Sequence, residues 1–235
     1  MAHSLRKTGE GLLFKVHLRS EVKQMKQQAG FTLVEIAIVL VIIGLLLGGV
    51  LKGQEIITNA RIKNLENDFN GITAAIYSYQ DRYRALPGDD PRADLRFPDA
   101  ANRIGDGNGR IDGEFAILTS AGSDSGSTSE ESYFFWLHLR SAELIKGEPL
   151  VNDTIYLPNN AFNGVIGVSS EPIQTGNVTI RGIYVGFSQI PVDVAIIIEA
   201  RSDDNMPNAG SVQTDETGTN YSDMGNGEIN IFFAL

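Results

Sequence analysis

The chain has no cysteine and only three histidines among 235 residues. Without cysteine it can form neither disulfides nor thiolate metal sites, so something else must hold its loops. His3 and His17 precede residue 30, which leaves His138 as the one histidine beyond that point. A histidine-based triad would have to use His138, and its place in an amphipathic segment reads as packing or surface. Phosphate loops are missing too: Gly105-Asp106-Gly107-Asn108-Gly109 is not followed by Lys-Ser or Lys-Thr. Basic character is scarce, with a net charge of −10 and arginines after Arg82 interspersed with aspartates. No stripe for phosphate backbones results, so no nucleic acid is expected, and neither is an enzyme. Proline is absent between Phe31 and Leu86.

What the chain does have is one long apolar run. Residues 31–51 are all apolar or small except Thr32 and Glu35. At 1.5 Å per residue this run reaches about 30 Å, the thickness of a bilayer core. A carboxylate near one end of such a span costs about 2.5–3.5 kcal/mol on insertion scales, so Glu35 calls for a cationic partner. Residues 1–30 carry six Lys or Arg against Glu10 and Glu21, a net +4 that leaves −14 for the remainder. Positive flanks stay cytoplasmic, so the acidic part is expected on the far side of the membrane. The apolar block follows residue 30, unlike a secretory signal, whose apolar core precedes its cleavage site. Met25 offers a second start, in which case residues 1–24 would be an upstream-start artefact.

The run Gly30-Phe31-Thr32-Leu33-Val34-Glu35 with the apolar block behind it resembles the amino-terminal signature of type IV pilins and type II secretion pseudopilins. The resemblance covers roughly residues 30–63. It implies cleavage after Gly30 by a prepilin peptidase, N-methylation of Phe31, and a role for Glu35 in neutralising a neighbouring subunit's amino terminus during assembly. It also implies insertion in a bacterial inner membrane as a single-pass protein with its head in the periplasm. The partners implied are the lipid bilayer, an inner-membrane assembly platform, and other pilin or pseudopilin subunits. Further on, Leu86-Pro87-Gly88-Asp89-Asp90-Pro91 and Asp203-Asp204 with Pro207 and Gly210-Ser211-Val212 resemble a pilin-like subgroup. Many pilins staple a carboxy-terminal loop with a disulfide, which this chain cannot do.

Four parts are expected: a leader over 1–30, a transmembrane and assembly helix over 31–51, its amphipathic continuation over 52–85, and a head over 86–235. Ile62, Leu65, Phe69, Ile72, Ile76, Tyr79 and Tyr83 recur at alternating intervals of three and four, one face of a helix. Residues 85–130 read as turn-rich loop, with 119–129 nearly all small and polar. Thr128 with Glu131 suggests a capping box before a helix over 133–145, anchored by Phe135, Trp136, Leu139 and Leu144 and closed by Gly147. Strands are expected over 164–169, 178–187 and 229–235. Residues 192–200 suit strand or helix, and the resemblance favours helix. The fold class is therefore α+β: a long N-terminal helix on a small antiparallel sheet, with extra loops and short helices.

Two acidic loops suggest a cation. In the first, Asp106, Asn108, Asp112 and Glu114 alternate as oxygen ligands do in calcium loops. The match to an EF-hand is incomplete, because Arg110 falls on a ligand position and Ile117 replaces the closing Glu. A chain of Asp-Gly and Asn-Gly turns explains the same residues. In the second, Asp203 and Asp204 follow the candidate helix at its negative end, where a cation or turn N–H groups must compensate. Some pseudopilins fix such a loop with Ca²⁺. Together these readings point to a structural subunit of a type IV pilus-like or pseudopilus filament. The alternative is a minor tip subunit with an adhesin or ligand-binding head.

Overall fold

A computed structural model describes residues 30–113 and 130–235, except residues 153, 174, 175, 177, 204, 219 and 226 and the side chain of Asp223. Residues 1–29 of the leader, the small polar segment over 119–129 and the Thr128 cap lie outside the described residues. Two compact units divide the chain, Met1–Gly48 and Gly49–Leu235. Helix α1, Leu33–Tyr83, runs for 51 residues.

In the first unit every large apolar side chain of α1 is exposed, Leu33 at 91%. Burying a side chain of that size is worth roughly 1.5–3 kcal/mol. Some fifteen of them lie exposed between Phe31 and Leu51, which puts tens of kcal/mol against leaving this stretch in water. The segment is long and apolar enough to cross a membrane.

The second unit has a conventional core. On α1, Ile62, Leu65, Ile72, Ala75, Ile76 and Tyr79 are buried, and Phe69 and Tyr83 pack against the same core. The three-and-four spacing therefore does mark the buried face. The helix stops where Arg84 takes a left-handed backbone, φ 56°, ahead of Leu86-Pro87.

Four antiparallel strands form one sheet in the order β1-β2-β4-β3: β1 Ile166–Ser169, β2 Tyr184–Pro191, β3 Val212–Thr214 and β4 Glu228–Ala234. Val185, Phe187, Ile231 and Phe233 belong to the main core. Phe233 meets Phe69 of α1 at 5.0 Å and Phe187 at 5.5 Å between ring centroids. Tyr184 and Phe232 belong to a second cluster, packed against Ile173, Val178 and Ile180.

Two expectations need correction. Strand β2 starts at Tyr184, since Thr179 donates its N–H to the Gln213 side chain at 2.7 Å instead of to a neighbouring strand. It runs on to Pro191 through an irregularity in its pairing between Phe187 and Ile190, where Gln189 has φ 56°. Helix α3, Glu131–Ser141, ends well before Gly147. Glu143 turns left-handed at φ 57°, and the Leu144 N–H returns to the Leu139 carbonyl at 3.0 Å, the bond that closes many helices. The segment over 192–200, for which helix was favoured over strand, is helix α4, Val192–Ser202. A further short helix, α2, spans Ala93–Arg96, with single 3-10 turns at Pro98–Ala100 and Tyr221–Asp223.

Candidate functional site

The first turn of α1 is built by the residues of the signature. Thr32 precedes the helix, and its N–H and hydroxyl both donate to Glu35 Oε2 at 2.8 Å. The Glu35 N–H donates back to Thr32 Oγ1 at 3.2 Å. This is a reciprocal capping box, which satisfies donors that the start of any helix leaves open. It also sets a negative group in the first turn, where the helix dipole favours it. Both side-chain contacts fall on one carboxylate oxygen, so Oε1 remains able to meet another donor. Thr32 keeps its amide if the chain is cut between Gly30 and Phe31, so the box does not depend on the leader. The pattern Thr-x-x-Glu was visible in the sequence; its capping role is an addition to the role implied for Glu35.

The head carries a second constellation around the turn at residues 86–91. Asp89 and Asp90 are buried at 3% and 0% exposure. Asp89 accepts the N–H groups of Gly107, Asn108 and Gly109 at 2.6, 3.0 and 2.7 Å. Glu131, at the start of α3, accepts those of Asp106 and Asp112, each at 2.9 Å. Two carboxylates thus hold five backbone donors of one loop, and charge-assisted bonds of this kind are the strong ones. Burial pushes both carboxyls up from their ordinary range, while those N–H bonds pull them down. Gly105 must be glycine, because a Cβ there would lie 2.2 Å from the Asp89 Cα.

Asp90 faces the core. It accepts the Tyr79 hydroxyl at 2.8 Å and the Arg92 N–H at 3.0 Å, and it pairs with Arg96. Arg96 in turn lies over the Tyr83 ring, 5.3 Å from its centroid. His138 is fully buried, which lowers its pKa from the ordinary 6.5. Its Nδ1 accepts the Gly88 N–H at 2.9 Å, and Nε2, also at 2.9 Å, must donate to the Arg103 carbonyl. The ring is therefore neutral, a brace between α3, the 86–91 turn and the segment before Gly105.

The expected cation ligands fall as follows. Asp106, Asn108 and Asp112 share one loop: both Asp106 oxygens accept from Asn108, at 2.9 and 3.0 Å, and Asn108 Nδ2 also reaches Asp112 at 3.1 Å. Glu114 lies outside the described residues. Carboxylate oxygens of Asp89, Asp106 and Glu131 come within 4.8 Å of one another, so two of the nearest acids were not among those expected. The set is right in type for a hard cation, but most of these oxygens already accept N–H groups. Asp203, just past α4, accepts the Val212 N–H at 2.7 Å and the Ser211 hydroxyl at 3.2 Å, so turn donors compensate it. Asp204 lies outside the described residues.

Comparison with known proteins gives one family match: the prokaryotic N-terminal methylation motif, over residues 25–51. No curated protein and no solved structure matches the chain. The motif indicates a type IV pilin-like or pseudopilin-like precursor, a structural class rather than a catalytic one. Among the described residues, one apolar helix near the amino terminus is long enough to span a membrane, which fits membrane anchoring of such a protein.

Proposed function

We propose that this chain is a non-enzymatic subunit of a type IV pilus-like or type II secretion pseudopilus filament. A prepilin peptidase cuts it between Gly30 and Phe31, and Phe31 is then N-methylated. It waits in the bacterial inner membrane with its acidic head in the periplasm, and an assembly platform moves it into a helical polymer. The observation that carries this reading is the capped start of α1. A membrane anchor alone has no need of a charged group there, yet Glu35, the fifth residue after the cut, takes both capping bonds on Oε2 and keeps Oε1 free. That oxygen can receive the ammonium of a neighbour's new amino terminus, while the other maintains the helix cap. Calcium, if the head takes it, would be held by Asp106 with Asn108 and Asp112, or by Asp203.

Mass spectrometry of the chain purified from membranes tests the processing step. The expected amino terminus is N-methyl-phenylalanine from Phe31. A mature chain starting elsewhere refutes the reading.

A further inference from the structure

Among the described residues, helix α3 carries four buried side-chain groups without hydrogen-bond partners, Ser132 Oγ, Trp136 Nε1, Arg140 Nε and Ser141 Oγ, and two of these belong to one cleft. Trp136 Nε1 and Arg140 Nε have no hydrogen-bond partner, although Trp136 is only 1% exposed. A buried unsatisfied donor is uncommon and calls for an explanation. The two residues are four apart on α3, so they share a helix face. Both line one cleft of about 750 Å³ between α3 and α1. Ile72, Leu144, Pro158 and Ile166 supply apolar wall, and Gly71 opens the α1 side, where a Cβ would meet nothing within 4 Å.

Arg140 is held there by packing, not by charge. Its guanidinium lies across Gly147, whose φ of 119° and missing Cβ allow an approach that would bring a Cβ to 3.1 Å from Nε. No ion pair involves Arg140 among the described residues, and burial alone lowers its pKa. Asp68 and Glu143 also line the cleft, but neither is paired with it. Arg140 and Trp136, one helical turn apart and each with a donor lacking an acceptor, share a cleft whose apolar wall is joined by Lys146, a second cation that offsets Asp68 and Glu143, and such a surface suits an anion that carries an apolar body. Arg140 suits a planar carboxylate in particular, since its fork matches two oxygens.

We propose that this cleft binds a carboxylate borne on an aliphatic group, with Arg140 swinging off Gly147 to meet the oxygens and Trp136 Nε1 donating beside it. Such a group exists on small organic acids and at the end of a polypeptide. The site stands on head geometry alone, so its test is independent of whether the chain polymerises.

Trp136 is the only tryptophan in the chain, so its fluorescence reports directly on the cleft. The full chain in detergent micelles would be titrated with pentanoate and with N-acetyl-leucinate. Pentanamide and N-acetyl-leucinamide serve as uncharged counterparts. Both carboxylates should shift the emission saturably, with dissociation constants on the order of 1–10 mM for ligands this small, and the amides at least about tenfold more weakly. Tighter binding of pentanoate assigns the site to a small acid, and tighter binding of N-acetyl-leucinate assigns it to a chain terminus. Arg140→Gln should weaken the carboxylates about tenfold or more. If that variant does not fold, Trp136→Phe keeps an aromatic side chain, though a smaller one, and removes the N–H, and carboxylate should then raise its melting temperature less than it raises that of the parent. The proposal is overturned if no saturable shift occurs, if amides match carboxylates, or if the variants respond as the parent does.

Discussion

Acid should loosen the head through His138, and the size of the effect follows from the structure. Because Nδ1 accepts the buried Gly88 N–H, a second ring proton would set two donors against each other. The folded chain therefore keeps the ring neutral, and burial holds its pKa below the ordinary 6.5. The unfolded chain takes up a proton as pH falls through 6.5. The stabilising contribution of the neutral ring is thus complete above 6.5 and is lost progressively below it. In the limit where folded His138 stays neutral, one pH unit below 6.5 removes about 1.4 kcal/mol. Asp89 and Glu131 act with the opposite sign: their raised pKa values stabilise most below the unfolded 3.8 and 4.5, and that share fades as pH rises through their folded values. His138→Gln isolates the histidine, because the acids and the two leader histidines are common to both proteins. The variant should be less stable at pH 7.5, by about 1–3 kcal/mol for each of the Gly88 and Arg103 groups it leaves unpaired. Urea unfolding of the full chain in micelles would measure the gap at pH 7.5, 6.5 and 5.5. The gap should narrow by about 1.4 kcal/mol at the lowest pH. A constant gap across that range refutes the assignment of His138 as a buried neutral brace.

Glu35→Gln keeps the capping box, because glutamine fills that position as well as glutamate does. Membrane insertion and cleavage should persist while filament yield, counted by electron microscopy, falls; normal yield would count against a charge-based role. Gly105→Ala drives a Cβ into the Asp89 backbone and should cost about 1–3 kcal/mol or more, seen as a drop of several degrees in melting temperature. An unchanged melting temperature would mean that the 86–91 turn and the 105–112 loop are not packed as described. For the proposed calcium site, saturating a site a hundredfold above its dissociation constant adds about 2.7 kcal/mol. Melting should then rise with calcium over chelator, and Asp106→Ala or Asp203→Ala should erase the difference at the true loop; equal melting in both buffers leaves the loops as ordinary turns.

How legible each part was depended on the reach of the interaction that makes it. The buried face of α1 can be read directly because its partners recur every three or four residues, and the proline-free stretch lets that period run unbroken. Strand β3, Val212–Thr214, has three residues among turn formers and no period to detect. Val178, Thr179 and Ile180 alternate like a strand, yet the apolar pair covers the outer side of the sheet and Thr179 binds a side chain. The acids that hold the 105–112 loop, Asp89 and Glu131, stand in the sequence as parts of other local patterns, and their partners are hidden for a related reason. Asp89 meets its donors 18 to 20 residues away and Glu131 meets its own 19 to 25 away, separations that no local spacing rule covers. His138, whose partners lie 50 and 35 residues away, reads as a packing or surface residue for the same reason. By contrast, Thr32 and Glu35 are three apart, so the capped helix start needed only a local pattern.

In the proposed filament each subunit would bear tension, and the packing of α1 within the second unit decides how that unit yields. Force directed along the helix axis loads the stripe from Ile62 to Tyr79 in shear. The contacts of Phe69 with Phe233, and of Tyr79 with Asp90, would then carry load together and not one after another. Rupture by sliding must break many small contacts at once, whereas peeling breaks them singly. The same row of side chains that folds the head therefore makes it mechanically strongest along the axis of α1.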